Sequence, residues 1–265
     1  MNKNCYLIYL SLLCSFYSSL CMGQVNFLGK PGYIATPSAG VFENRPLGFS
    51  FSYLPNEYSI FTNGDRNIIH FYNVRFGFTS FMEVNLSIAH RPLMSEDIGV
   101  GDRQLDFRFR LLKEKKYLPA LVLGWTPPGS VSPVLAHDYL VATKNLTTGI
   151  GQFNISAGYG SPYVIKRKNG GEALDLEVLK KTEFKGVKYL TGFFGGISYK
   201  PISWGGALIE YDSQTFNTGI FIAPVPWFIL QGYTYEGKEF AFTLAANFPL
   251  NFSPRALRSY ENKLD

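Results

Sequence analysis

The chain has 265 residues, and only 17% are charged while 16% are aromatic, including 23 Phe and 17 Tyr. That balance excludes a disordered chain and sits poorly with an ordinary soluble domain, in which about 25% of residues are charged. Lys and Arg exceed Asp and Glu by 25 to 20. The excess is scattered instead of forming the basic stripe that nucleic-acid binding requires, so no nucleic-acid partner is expected.

Residues 1–23 hold all three cysteines, a lone early cation at Lys3, an apolar run from Tyr6 to Met22, and then Gly23-Gln24. This is the plan of a secretory signal peptide, with cleavage expected after Gly23. Leu13 and Leu20 precede Cys14 and Cys21, which argues against lipoprotein processing. The remaining 24–265 carry no cysteine, so neither disulfides nor thiolate metal sites are expected there. Residues 24–46 read as a periplasmic lead-in. Within it the 32–39 stretch is open to two readings: a plug entering a barrel, or a turn-rich approach to the first strand.

From residue 47 the sequence alternates with period two. In 81–91, Met82, Val84, Leu86 and Ile88 oppose Glu83, Asn85 and Ser87; in 104–112, Leu105, Phe107, Phe109 and Leu111 oppose Gln104, Asp106, Arg108 and Arg110. The same alternation marks 152–160 and 239–248. Weaker runs at 47–53, 67–76, 117–125, 139–146, 190–199, 207–212, 216–222 and 227–235 bring the expected number of strands to about 12, with a range of about 10 to 14. No later segment is apolar for long enough to cross a bilayer as a helix, whereas several strands approach the 9–11 residues that a tilted spanning strand needs.

The connections alternate long and short through the first eight. Those at 54–66, 92–101, 126–138 and 161–189 are long; those at 77–80, 113–116, 147–151 and 201–204 are short. Outer-membrane barrels show this asymmetry, and an even strand count returns both termini to the periplasm. A two-sheet sandwich also buries one face of each strand, so period two alone does not separate the two architectures. The charged faces (Arg75, Glu83, Asp106, Arg108, Arg110 and Glu210) and the export signal favour a closed antiparallel transmembrane β-barrel over 47–252, followed by a charged tail at 253–265. Within the longest connection, 172–181 reads as a short helix.

Several ordered strings resemble the YjbH-type outer-membrane exopolysaccharide family: Gly32-Tyr33-Ile34-Ala35-Thr36-Pro37-Ser38-Ala39, Gly99-Val100-Gly101-Asp102, the run from Leu105 to Glu114, Tyr117-Leu118-Pro119-Ala120, the run from Asp138 to Lys144, Gly158-Tyr159-Gly160, the run from Phe193 to Tyr199, and Glu210-Tyr211-Asp212. The likeness covers roughly residues 29–250. The chain departs from the family at Trp125-Thr126-Pro127-Pro128-Gly129, in its charged tail and in its shorter length. The resemblance implies a bacterial outer-membrane barrel that is not an enzyme and takes part in exopolysaccharide or capsule secretion or assembly. Its implied partners are membrane lipid, lipopolysaccharide, exopolysaccharide and other envelope secretion proteins.

On that reading Arg75, Glu83, Asp106, Arg108, Arg110, Lys144 and Glu210 are lumen residues that could contact a glycan. The alternative is a structural salt-bridge network, since charges of both signs alternate across strands. Lys166, Arg167 and Lys168 are candidates for anion contact in an external loop, or else part of a solvated loop offset by its acids. His137-Asp138, with Ser130 or Ser132, is the best candidate for catalysis, but it lacks nucleophile-elbow spacing. No metal-ligand spacing and no cofactor motif is present. A passive porin, a structural partner of another secretion machine and a lipid-modifying barrel enzyme stand as rivals.

Overall fold

The computed structural model describes residues 24–55, 68–92, 101–128, 135–168, 175–183 and 189–250. The expected signal peptide, the charged tail, Ser130 and Ser132 lie outside them.

Twelve strands close into an antiparallel barrel: β1 (Leu47–Leu54), β2 (Ile69–Gly77), β3 (Met82–His90), β4 (Asp102–Leu112), β5 (Ala120–Trp125), β6 (Tyr139–Thr148), β7 (Gly151–Gly160), β10 (Gly192–Ile202), β11 (Gly205–Tyr211), β12 (Phe216–Val225), β13 (Phe228–Tyr235) and β14 (Glu239–Phe248). Each strand pairs with its neighbour in sequence, except that β7 pairs with β10, and β1 pairs with β14 to close the ring. Closure removes the unpaired edges that an open sheet would expose. All twelve expected strands coincide with barrel strands.

The remaining two strands correct one expectation. The described part of the expected 172–181 helix, 175–180, is not helical. β9 (Leu176–Lys180) pairs with β8 (Tyr163–Arg167) as a hairpin between β7 and β10, and only Lys181–Glu183 make a 3₁₀ turn. Leu176 and Val178 alternate with Glu177, and the ladder places them opposite Arg167 and Ile165. A partner strand of matching period decides for extended backbone here.

The strand ends joined by the long connections (55–68, 91–101, 126–138 and 161–191) all lie at one end of the barrel, together with 212–215 and 236–238. The short ones (78–81, 113–119, 149–150, 203–204 and 226–227) gather at the other. The chain enters β1 and leaves β14 at the short-connection end.

The side chains sort by parity. Phe49, Val74, Leu86, Leu105, Leu123, Ile155, Ile197, Ile209, Ile220 and Phe240 are exposed outward. Asn73, Arg75, Glu83, Asn85, Ser87, Gln104, Asp106, Arg108, Thr143, Ser156, Glu210, Asn217, Gln231 and Thr243 are buried inward. This inverts a soluble protein, because the apolar face is the one left uncovered. Aromatic side chains crowd both borders of the outward surface. Phe153 stacks on Tyr199 at 4.7 Å, and Trp227 on Phe248 at 5.9 Å, at the short-connection border. Tyr159 meets Phe193 at 5.2 Å, and Tyr211 meets Phe216 at 4.9 Å, at the opposite border.

Candidate functional site: a plugged lumen and its basic mouth

Residues 24–40 lie inside the barrel. Val25, Asn26, Leu28, Lys30, Tyr33, Ile34, Thr36 and Ala39 are all buried. The segment folds back on itself through bridges between Val25 and Pro31 and between Gly32 and Pro37. Asn26 organises the first loop: its Oδ1 accepts from the backbone N–H groups of Leu28 and Lys30 (both 3.1 Å), and its Nδ2 donates to Ala35 O. Gly29 turns there with φ +74°, and a Cβ at this position would stand 2.5 Å from Asn73 Cβ. Only glycine accepts both the left-handed backbone and the close approach to the wall.

The wall residues hold this plug in three layers. Towards the long-connection end the enclosed surface is apolar: Phe27, Leu28 and Ile34 of the plug share one buried cluster with Leu54, Ile69, Phe71, Tyr233 and Leu135, and the cluster continues past Glu210 to Leu208 and Phe221 nearer the other end. Phe27 and Phe71 have ring centres 5.3 Å apart.

The middle layer is polar and directed at the plug backbone. Glu210 accepts from the N–H groups of Ile34 (3.0 Å), Ala35 (2.8 Å) and Thr36 (3.0 Å), and from the Thr36 hydroxyl (2.8 Å). Asn73 and Asn85 donate to Phe27 O and Leu28 O, Gln231 donates to Tyr33 O, and Thr143 Oγ1 accepts from Ala39 N. The Tyr33 hydroxyl lies 2.5 Å from Asn154 Oδ1 and 2.8 Å from Ser156 Oγ. Its ring presses against β10 so closely that a Cβ on Gly196 would come within 2.6 Å of it.

The charges fall into two groups. Lys30 Nζ sits 2.6 Å from Asp106 Oδ2, both fully enclosed, and Asp106 Oδ1 also accepts from Thr126 Oγ1 (2.6 Å) and Gln104 Nε2 (2.7 Å). Glu83 bridges Arg75 (3.1 Å) and Arg108. Arg75 continues to Asn247 Oδ1 at 2.6 Å and lies 4.0 Å over the Phe42 ring. Arg108 donates to the Tyr139 hydroxyl (3.1 Å), Ser38 O (2.6 Å) and Gly40 O (3.1 Å). Buried ions survive only when they are paired, and here the counter-charges come from the protein itself.

Arg75, Glu83, Asp106, Arg108 and Glu210 are therefore brought together as the frame that seats the plug. Arg110 stands apart from them at the short-connection mouth, and Lys144 is not a lumen residue: it lies opposite Ile155 on the outward face of β6, one position out of step with the inward Thr143 and Ser156. Arg110 binds Glu43 and Ser80 O, and its guanidinium holds the Glu43 carboxyl below the usual range. Lys144 pairs with Glu114 at 2.9 Å and donates to Lys115 O. Lys166, Arg167 and Lys168 lie on the β8–β9 hairpin, beyond the opposite end. Arg167 is exposed, Lys168 pairs with Asp175 at 2.8 Å, and the Lys166 side chain lies outside the described ones. Lys30, Asn26, Tyr33 and Tyr139 are framework residues that the strand pattern did not reveal.

His137 and Asp138 belong to a connection that folds over the long-connection end. Gln104 donates to Leu135 O, and Asp138 Oδ1 accepts from Thr126 N at 2.8 Å. His137 is buried, and burial, with Lys30 and Lys181 nearby, keeps its imidazole neutral. Burial likewise raises the Asp138 carboxyl.

Lys181 is sealed beneath the hairpin, where its Nζ donates to Leu190 O at 3.1 Å. Burial draws its pKa down to about 8, with Asp138 opposing the shift and Lys30 adding to it. Between that value and the ordinary 10.5 the unfolded chain holds a proton that the folded one has lost, so stability rises with pH across this window. Protease cleavage within 161–191 is accordingly expected to be slower at about pH 9.5 than at about pH 7.5, and Lys181→Met should abolish the difference.

A cavity of about 560 Å³ opens at the short-connection mouth, between the plug at Ser38–Val41 and the wall of β4–β7 and β10. Thr143, Asn145, Gln152, Asn154 and Ser198 line it, with Arg110, Lys113, Lys200, Glu43 and Glu114 at its rim.

A search of curated proteins finds no match to the chain. A family model described as "Exopolysaccharide biosynthesis protein YbjH" matches residues 24–263, which includes the plug, the whole barrel and most of the tail. The plugged twelve-stranded barrel thus belongs to the YjbH exopolysaccharide biosynthesis family.

Proposed function

We propose that this protein is a non-enzymatic outer-membrane component of exopolysaccharide or capsule secretion or assembly. In this reading it is exported by its N-terminal signal, and its short-connection end faces the periplasm. The observation that carries the reading is the inverted side-chain pattern in a member of an exopolysaccharide family: an apolar, aromatic-bordered outer surface around an ionic interior. Such a surface is suited to lipid, and the loop asymmetry supports the orientation. The hairpin adds Tyr163, Ile165, Leu176 and Val178, all exposed, next to Arg167 and Lys180, a combination suited to lipopolysaccharide.

The plug weighs against one rival role for the same fold. A passive porin needs a continuous aqueous path, whereas here the lumen is filled by a hydrogen-bonded segment. The barrel therefore acts as a scaffold or as a conduit that opens only when the plug moves. His137 and Asp138, spent on loop packing, favour this over the lipid-modifying enzyme.

Deleting the gene and quantifying surface polysaccharide tests the role. A large loss, restored by the intact gene, is expected; unchanged polysaccharide would refute it. The membrane reading has its own test in Ile209→Arg. Ile209 lies midway along β11, faces outward and pairs with Ile197. A charge there should cost about 2–4 kcal/mol of barrel stability in lipid, measured by urea unfolding from vesicles.

A further inference from the structure

We infer that the cavity at the short-connection mouth is a binding site for a short acidic oligosaccharide, a carboxylate-bearing glycan taken up before any passage through the barrel. The inference rests on the secretion reading above and names the cargo chemistry that it leaves open.

Three observations carry it. The first is size and lining: about 560 Å³, walled by hydroxyls and side-chain amides of Thr143, Asn145, Gln152, Asn154 and Ser198. That volume lies within the range of about 300–1,000 Å³ usual for small-ligand sites, and planar amides with hydroxyls are groups that can exchange hydrogen bonds with sugar hydroxyls. The second is an orphaned group: Gln24 lines the cavity, is buried, and its Nε2 has no hydrogen-bond partner among the described residues. A buried amide donor left unpaired is costly, and a ligand oxygen would relieve it.

The third is charge. Arg110, Lys113 and Lys200 line the cavity against the carboxylates of Glu43 and Glu114, and Lys115 and Lys116 follow Lys113 in the same short connection. Glu43 is held by Arg110 and lies 3.8 Å from Lys113, and Glu114 is held by Lys144, so both acids are already paired. The other short connections, 78–81, 149–150, 203–204 and 226–227, contain no charged residue at all. The cations thus concentrate on the side of the rim where the cavity opens. An excess of cations over acids at a cleft raises the local concentration of anionic ligands.

Calorimetric titration of the full chain in detergent tests this, with trigalacturonate as the acidic probe and maltotriose as the neutral one. Trigalacturonate is expected to bind saturably and at least tenfold more tightly than maltotriose. The difference should shrink as salt rises from about 20 mM to about 0.5 M. Lys113→Gln with Lys200→Gln should weaken trigalacturonate by at least tenfold, while Arg167→Gln with Lys168→Gln on the far hairpin should leave it unchanged.

Equal affinity for the two trisaccharides, a salt-independent difference, or an equal loss from the hairpin variant would overturn the inference. So would rim variants that lower binding only to phosphatidylglycerol vesicles, since the rim would then read lipid headgroups. The salt titration needs no variant and stands even if one fails to fold. Absent trigalacturonate binding in a protein whose deletion still removes surface polysaccharide sinks this inference alone. Retained binding with unchanged polysaccharide sinks the secretion reading instead.

Discussion

Replacing Glu210 with alanine should unseat the plug and turn a closed barrel into a conducting one. Glu210 collects three backbone N–H groups and one hydroxyl from Ile34, Ala35 and Thr36, and it is 1% exposed. Hydrogen bonds to a charged group contribute about 1.5–3 kcal/mol each. They share one acceptor here and do not add, so the expected loss of docking energy is about 3–5 kcal/mol, as for breaking a buried ionic contact. The three N–H groups would be left facing a void, with only water able to serve them. In planar bilayers the unaltered chain should show little conductance and Glu210→Ala clear opening steps, with faster protease cleavage within 24–40. Glu210→Gln keeps one acceptor oxygen and should fall between the two. Matching conductance and cleavage for all three would mean that Glu210 does not retain the plug.

Lys30→Met should produce the largest loss of stability of any single change within the plug. It removes the cation 2.6 Å from Asp106 and strands the carboxylate in a sealed site. Removing one partner of a buried pair costs about 3–5 kcal/mol, mostly as the penalty on the charge left behind. Asp106→Asn should also destabilise, because the ammonium is then stranded. Combining the two removes both charges together, so the double variant should cost less than the sum, with a coupling of about 0.5–3 kcal/mol. Urea unfolding in detergent measures all four proteins. Additive losses would show that the ammonium and carboxylate do not rely on each other.

The barrel was legible because its wall obeys one rule throughout. Leu105, Phe107 and Phe109 against Asp106, Arg108 and Arg110 shows the rule at full contrast, and the structure turns those two sets outward and inward respectively. The hairpin was misread because Glu172 to Lys181 carries both periods weakly, and only the partner strand at Tyr163–Arg167 decides between them.

The plug was half legible. Gly32 and Pro37 marked a turn, but nothing periodic could say whether that turn lay under the barrel or within it. The decisive contacts join residues more than a hundred positions apart, such as Tyr33 with Ser156 and Ala35 with Glu210. A trace of the answer lies in the inward positions: Asn73, Asn85, Thr143, Ser156, Asn217 and Gln231 form a set of short hydrogen-bonding groups suited to a peptide backbone. Apolar inward residues such as Leu54, Ile69 and Phe71 gave the other trace, since a water-filled lumen has no use for them. Lys30 had no sequence signal, being one cation in an irregular segment.

Spin-label scanning along β11 in reconstituted vesicles tests the central claim most directly. Single labels at each position from 206 to 211 report collision with oxygen, which concentrates in lipid, and with a water-soluble nickel complex. The account predicts a period of two, with strong oxygen contact at 207, 209 and 211 and little contact with either reagent at 208 and 210, where the plug packs. High nickel access at 207 and 209 would place that face in water and contradict a lipid-facing, plugged barrel.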